Sequence, residues 1–99
     1  MRKINFSKNA ESNLEFILDY LNAKFSKRVL DKFIKNLDKT VFLIQNNPEI
    51  FPLSSRNSKL RKCILSKQTT IYYKFSNEEI NILSFFDTRQ NPTKINAIK

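Results

Sequence analysis

None of the 99 residues is glycine. A chain without glycine has no residue that reaches positive φ without steric cost. Tight reversals must then rest on Asn or Ser, with Asn77 the candidate for a positive-φ position. This is tolerable only in a fold with few tight turns and long elements between them. The same absence excludes the glycine-rich phosphate loops of nucleotide binders. Histidine is also absent, and Cys63 is the only cysteine. General acid–base work near neutrality would fall to a shifted Lys, Tyr or carboxylate, and hydrolases built on a His base are excluded. A Cys/His zinc site within one chain and an internal disulfide are excluded too, so no metal or cofactor is expected.

Residues 2–6, RKINF, alternate polar and apolar and read as a short strand. Ser7 or Asn9 then offers a cap to a helix in which Ala10, Leu14, Ile17, Leu18, Leu21 and Phe25 recur at helical spacing. Ser26 caps a second helix striped by Val29, Leu30, Phe33, Ile34, Leu37, Val41 and Ile44, which Asn46-Asn47-Pro48 terminates. The two helices, joined around Lys24–Ser26, should form an antiparallel hairpin over roughly residues 8–46. Residues 48–60, with two prolines, read as a surface loop pinned to the core by Ile50, Phe51 and Leu53. From Arg61 the pattern changes to β-branched and aromatic runs at Arg61–Ser66, Thr70–Phe75 and Glu79–Asp87. The tail beyond Asn91-Pro92 reads as short, with one helical turn.

The expected fold is therefore α+β, one domain over residues 1–99. It has an N-terminal strand, an antiparallel two-helix hairpin and a three-stranded antiparallel meander, with both helices on one face of an antiparallel sheet. Tyr73 and Ile71 should share one sheet face, and Thr70, Tyr72 and Lys74 the other. Arg61, Lys67, Lys74 and Arg89 are expected to gather on the face away from the helices. No apolar run nears the ~20 residues that span a bilayer. The N-terminus lacks the apolar core of a signal peptide. The lone cysteine suits a reducing cytoplasm.

Eighteen Lys+Arg against nine Asp+Glu give a net charge of +9. No acidic residue falls between Ile50 and Asn77, a stretch that holds Arg56, Lys59, Arg61, Lys62, Lys67 and Lys74. A basic excess of this kind calls for an anionic partner: nucleic acid, a membrane surface or an acidic protein.

Several segments together resemble the RelE/ParE toxins of type II toxin–antitoxin systems. They are Leu60-Arg61-Lys62, Ile71-Tyr72-Tyr73-Lys74, the Asn-Pro-x-x-x-Pro loop at Asn47–Pro52, and the run from Ile82 to Pro92 that ends Thr-Arg-Gln-Asn-Pro. The resemblance covers nearly the whole chain and is nearer the ParE-like branch, whose members poison DNA gyrase. It implies a cytoplasmic toxin held by a cognate acidic antitoxin. RelE-like members instead cut mRNA on the ribosome, with basic residues on the second strand and an Arg ending the fourth. Onto that template fall Arg61, Lys62 and Arg89 as catalytic candidates. Thr69-Thr70 stands where the template has an Arg, and no Tyr or His follows Arg89; only Lys94 and Lys99 are ionisable there. The incomplete set favours a toxin that binds its target over one that cleaves RNA. Each candidate also has a plain structural role open to it, Arg61 as a pin to a carboxylate and Arg89 as a salt bridge to Asp87 or a donor to a helix-end carbonyl. A third reading is a small basic RNA-binding domain whose sheet displays Tyr72 and Phe85 for base stacking.

Overall fold

The computed structural model describes residues 1–89. The elements are β1 (Lys3–Phe6), α1 (Lys8–Lys24), α2 (Lys27–Asn46), β2 (Arg61–Ile64), β3 (Thr69–Phe75) and β4 (Glu79–Asp87). Each helix opens on a serine that accepts a hydrogen bond from a first-turn amide: Ser7 from Ala10 and Ser26 from Val29. Between the helices lie only Phe25 and Ser26, both extended. α2 ends at Asn46, before Pro48, as the proline requires.

Serine also makes both hairpin turns without glycine. Ser66 Oγ accepts from the Gln68 and Thr69 amides, and Ser76 Oγ accepts from those of Glu78 and Glu79. A hydroxyl that collects two amides at the start of a turn holds the reversal in place with ordinary φ values. No described residue has positive φ, so the left-handed role expected of Asn77 does not arise.

The sheet has four strands in the order β1-β4-β3-β2. The β2–β3–β4 meander is antiparallel as expected, but β1 lies parallel to β4, from Lys3 opposite Glu79 to Phe6 opposite Ile82, so the sheet is mixed. Direction explains the correction. α1 continues along β4 in the sense of β1, with Ser7 at Leu83, Asn13 at Phe85 and Tyr20 under Arg89. α2 returns from Asn36 at Leu65 to Gln45, whose Nε2 donates to Arg2 O at 2.6 Å. β2 thus starts at the end where β1 started, and both edges of the meander run in the direction of β1. Either edge would have received it in parallel.

Both helices cover one face, around a core of Ala10, Ile17, Leu21, Leu37, Ile44, Cys63, Leu65, Ile71, Tyr73, Ile80, Ile82 and Phe85. β3 alternates as expected: Thr69, Ile71 and Tyr73 are buried, while Thr70, Tyr72 and Lys74 occupy the other face. The helical stripes are narrower than expected. Phe25, Val29 and Ile34 are exposed, as are Phe42 and Leu43, and in the loop only Phe51 packs on the core while Ile50 and Leu53 are exposed.

β4 breaks its own alternation. Tyr72 pairs with Ser84 and Tyr73 with Ile82, leaving Leu83 without a partner on β3. This bulge shifts the phase, so the helix-facing residues are Ile80 and Ile82 before it and Phe85 and Asp87 after it. Polar residues of α1 hold the bulge. β1 ends at Phe6, so β4 beyond Ile82 has a bare edge on that side. Ser7 Oγ and Asn9 Nδ2 donate to Leu83 O at 2.8 and 3.3 Å, and Asn13 Oδ1 accepts from the Phe85 amide at 3.1 Å. Asn13 is buried, so Asn13→Ala strands that amide away from water and should cost about 2 kcal/mol. Urea unfolding checks this, and hydrogen exchange should show the loss of protection centred on Phe85.

Candidate functional site

Arg61, Lys62 and Arg89 do not converge. Arg61 lies opposite the buried Tyr73 and so belongs to the helix face, whereas Lys62, opposite Tyr72, belongs to the uncovered face. Arg89 follows Asp87, which pairs with Thr69 at the far end of β3. Four residues of β3, roughly 13 Å of strand, separate the rungs of Arg61 and Asp87. The expected gathering of Arg61, Lys67, Lys74 and Arg89 behind the sheet therefore fails. Only Lys74 lies on the uncovered face, Lys67 is in the β2–β3 turn, and both arginines are on the helix side.

Arg61 works as a pin, though to carbonyls rather than to a carboxylate. Its Nη1 donates to Phe51 O at 2.8 Å and Glu49 O at 3.5 Å, tying the 48–52 loop to the sheet edge. Its guanidinium also lies 5.7 Å from the Phe75 ring centre, a ring that Arg2 approaches at 5.9 Å. Tyr73 is fully buried and donates its hydroxyl to Pro48 O at 2.7 Å. Burial foremost, with the Cys63 thiol adding to it, pushes that phenol up to about 12 against the opposing pull of Arg61. Such a group anchors a loop and is no proton acceptor at neutral pH. Burial likewise pushes the Cys63 thiol up to about 11, the condition of an inert core cysteine.

Phe85, expected on display for stacking, is in the core against Phe6, with centroids 6.1 Å apart and planes 11° from parallel. The bulge puts Phe86 on the uncovered face in its place, opposite Thr70. Tyr72 does occupy that face.

Arg89 is the most structured of the candidates. Its Nε donates to Asp87 Oδ1 at 3.0 Å and its Nη2 to Oδ2 at 2.8 Å, a two-pronged pair, while its own amide donates to Oδ1 at 2.8 Å. Thr69 Oγ1 donates to Oδ2 at 2.6 Å. Burial alone would raise the Asp87 carboxyl, but the bonds from Arg89 and Thr69 and the adjacent positive charge together hold it below the usual carboxylate range. The guanidinium lies 5.6 Å from the Tyr20 ring centre on α1. Of the two structural roles open to Arg89, the salt bridge to Asp87 is the one it takes. The participation of Thr69 was hidden, because no spacing in the sequence shows that Thr69 lies opposite Asp87.

Arg89 borders a cleft of about 420 Å³ beside the first half of α2 and the β2–β3 turn. Its floor is apolar, from Leu21, Val29 and Phe33, and Lys32, Lys35 and Lys39 stand along it. No group of His, Cys, Asp or Glu among the described residues is arranged to hold a metal ion. No helix among them is long and apolar enough to cross a membrane.

The architecture is a two-helix hairpin packed on one face of a small four-stranded mixed sheet, with the Asp87–Arg89 pair at the end of β4. The chain belongs to the family of ParE toxins of type II toxin–antitoxin systems, whose model matches residues 4–92. Among solved structures it is similar to the chromosomal ParDE system from P. aeruginosa, with a TM-score of 0.73 at 16% identity over 90% of this chain and 98% of that one. It also resembles the E. coli DinJ–YafQ toxin–antitoxin complex, at a TM-score of 0.60 and 13% identity over 87% and 91% of the two chains. A copper-bound mutant toxin from Helicobacter pylori gives 0.51 at 20% identity over 88% and 94%. At these identities the likeness is one of fold. No curated protein sequence matches the chain.

Proposed function

We propose that this chain is a growth-inhibiting toxin that acts in the cytoplasm by binding DNA gyrase and is neutralised by an acidic antitoxin. Membership of the ParE family carries the reading. The geometry supports a binding toxin over a ribonuclease. Cleavage of RNA by its own 2′-OH, which loses its proton and bonds to the adjacent phosphorus as the 5′-oxygen leaves and takes up a proton, needs a base, an acid and a cation within reach of one phosphate. Arg61 and Arg89 instead stand at opposite ends of the sheet, each committed to structural partners, and Lys62 is on the other face. The net charge of +9 supports an acidic antitoxin.

Induced expression without the antitoxin should arrest growth. Purified toxin should lower supercoiling by purified gyrase in a dose-dependent way, and the antitoxin should restore it. Primer extension on translated mRNA should show no codon-phased cuts. Unchanged supercoiling at doses that stop growth would remove gyrase as the target, and phased cuts lost in Arg89→Ala would replace this reading with mRNA cleavage.

A further inference from the structure

We propose that the free chain self-associates head to tail, with the basic β2 edge of one copy seated in an acidic groove along α1 of the next. The groove has a volume of about 440 Å³ and is lined by Phe6, Glu11, Leu14, Glu15, Leu18 and Asp19. Phe6, Leu14 and Leu18 are only partly buried and give it an apolar floor, while its three carboxylates are exposed. Those carboxylates recur at i, i+4 and i+8, so they form one row about 12 Å long on α1. None of them makes an ion pair with any described residue. No Lys or Arg occurs from Asn9 to Ala23, so negative charge is concentrated here although the whole chain is at +9.

The complement lies on the same chain, at the other edge of the sheet. α1 packs on β4 and β1, whereas β2 is three strand spacings, about 14 Å, from β1. The 52–60 loop is fastened along β2: the Ser54 amide donates to Leu60 O at 2.7 Å and the Lys62 amide to Pro52 O at 2.9 Å. This edge carries Arg56, Lys59 and Lys62 beside Leu53 and Ile64, which are 52% and 66% exposed. None of the three cations makes an ion pair with any described residue. On opposite edges the two surfaces cannot meet within one copy, but they can meet between two. Such a contact sets three carboxylates against three cations and covers apolar side chains on both sides. Nucleic acid would use the basic edge and leave the groove empty. A foreign basic segment would fill the groove and leave Leu53 and Ile64 bare. A second copy uses both. The contact is heterologous, so each pair keeps one free surface of either kind and can extend. The like net charge of the copies opposes it, which places association at about 100 μM and above.

Sedimentation velocity of the full chain, from about 20 μM to about 1 mM in roughly 0.15 M salt, tests this. The weight-average mass of the parent should rise by at least about half across that range. Glu11→Lys/Glu15→Lys/Asp19→Lys should stay monomeric throughout, and so should Arg56→Glu/Lys59→Glu/Lys62→Glu, because each sets like charges against each other. An equimolar mixture of these two triple variants restores opposite charges at every contact and should associate again. Asp31→Lys/Asp38→Lys/Glu78→Lys has the same net charge as the groove variant but leaves the groove intact, and should weaken association by no more than about threefold. Circular dichroism confirms that each variant is folded. A parent that is monomeric at every concentration, equal losses in the groove and control variants, or a mixture that stays monomeric would overturn the proposal. A monomeric parent whose groove binds a Lys/Leu peptide, with the binding lost in the groove variant, would assign the groove to a foreign basic segment instead. The association needs neither gyrase nor antitoxin, so failure of the supercoiling assay leaves it standing.

Discussion

Replacing Asp87 by alanine should destabilise the fold by about 3 kcal/mol and lower Tm by about 12 °C or more. Asp87 is 1% exposed and receives the Arg89 side chain through two nitrogens, the Arg89 amide and the Thr69 hydroxyl. Truncation leaves the buried Thr69 hydroxyl and a partly buried guanidinium without an acceptor, and it is this stranding of the partners that makes the loss large. Thermal and urea unfolding of Asp87→Ala beside the parent measure it. The pH dependence has a definite sign. The carboxyl is held below its unfolded value of about 3.9, so its contribution is complete above that value and is lost as pH falls through the folded one. The stability gap between the parent and Asp87→Asn should stay constant from neutral pH down to about 5 and close below about 4. A gap that persists undiminished in acid would show that the charge of Asp87 contributes nothing.

The second large effect separates two adjacent phenylalanines. Phe85→Ala should cost about 3 to 5 kcal/mol, and Phe86→Ala about 1 kcal/mol or less. Phe85 is fully buried and stacked on Phe6, whereas Phe86 is half-buried on the sheet face that no described element covers. Strict alternation from Ile80 and Ile82 would reverse this order, placing Phe86 inside and Phe85 outside. Denaturant titration of the two variants therefore reads out the bulge at Leu83 directly. Equal losses, or a larger loss at Phe86, would mean that β4 keeps its alternation.

That reversal is also why Phe85, which alternation along β4 puts on display, is in the core instead. Period-two reasoning succeeds on β3, where Thr69, Ile71 and Tyr73 go inside as their spacing indicates. It fails on β4 because a bulge changes the phase midway. The groups that hold the bulge, Ser7, Asn9 and Asn13, are more than 70 residues away along the chain. Asn13 itself gave no signal, since a polar residue on an apolar stripe is ordinarily taken to face water.

The site candidates divide similarly. Arg89 and its bridge to Asp87 were legible because the two residues are near neighbours at the end of an apolar strand. The cleft was not. Val29 and Phe33 belonged to the same stripe as Leu37 and Ile44, and nothing in their spacing shows that the core stops short of Val29.

By itself the sequence determined the elements and their caps. Two serine-capped amphipathic helices, a proline stop and a glycine-free meander follow from local preferences that neighbouring residues satisfy. The direction of β1 was not among these: an antiparallel sheet is the sequence-based expectation, and β1 instead lies parallel to β4. Only the tertiary structure decided which face each arginine takes, where β4 changes phase and which apolar residues of α2 remain uncovered. Those outcomes depend on hydrogen bonds and packing between segments far apart in the chain, and no local pattern carries that information.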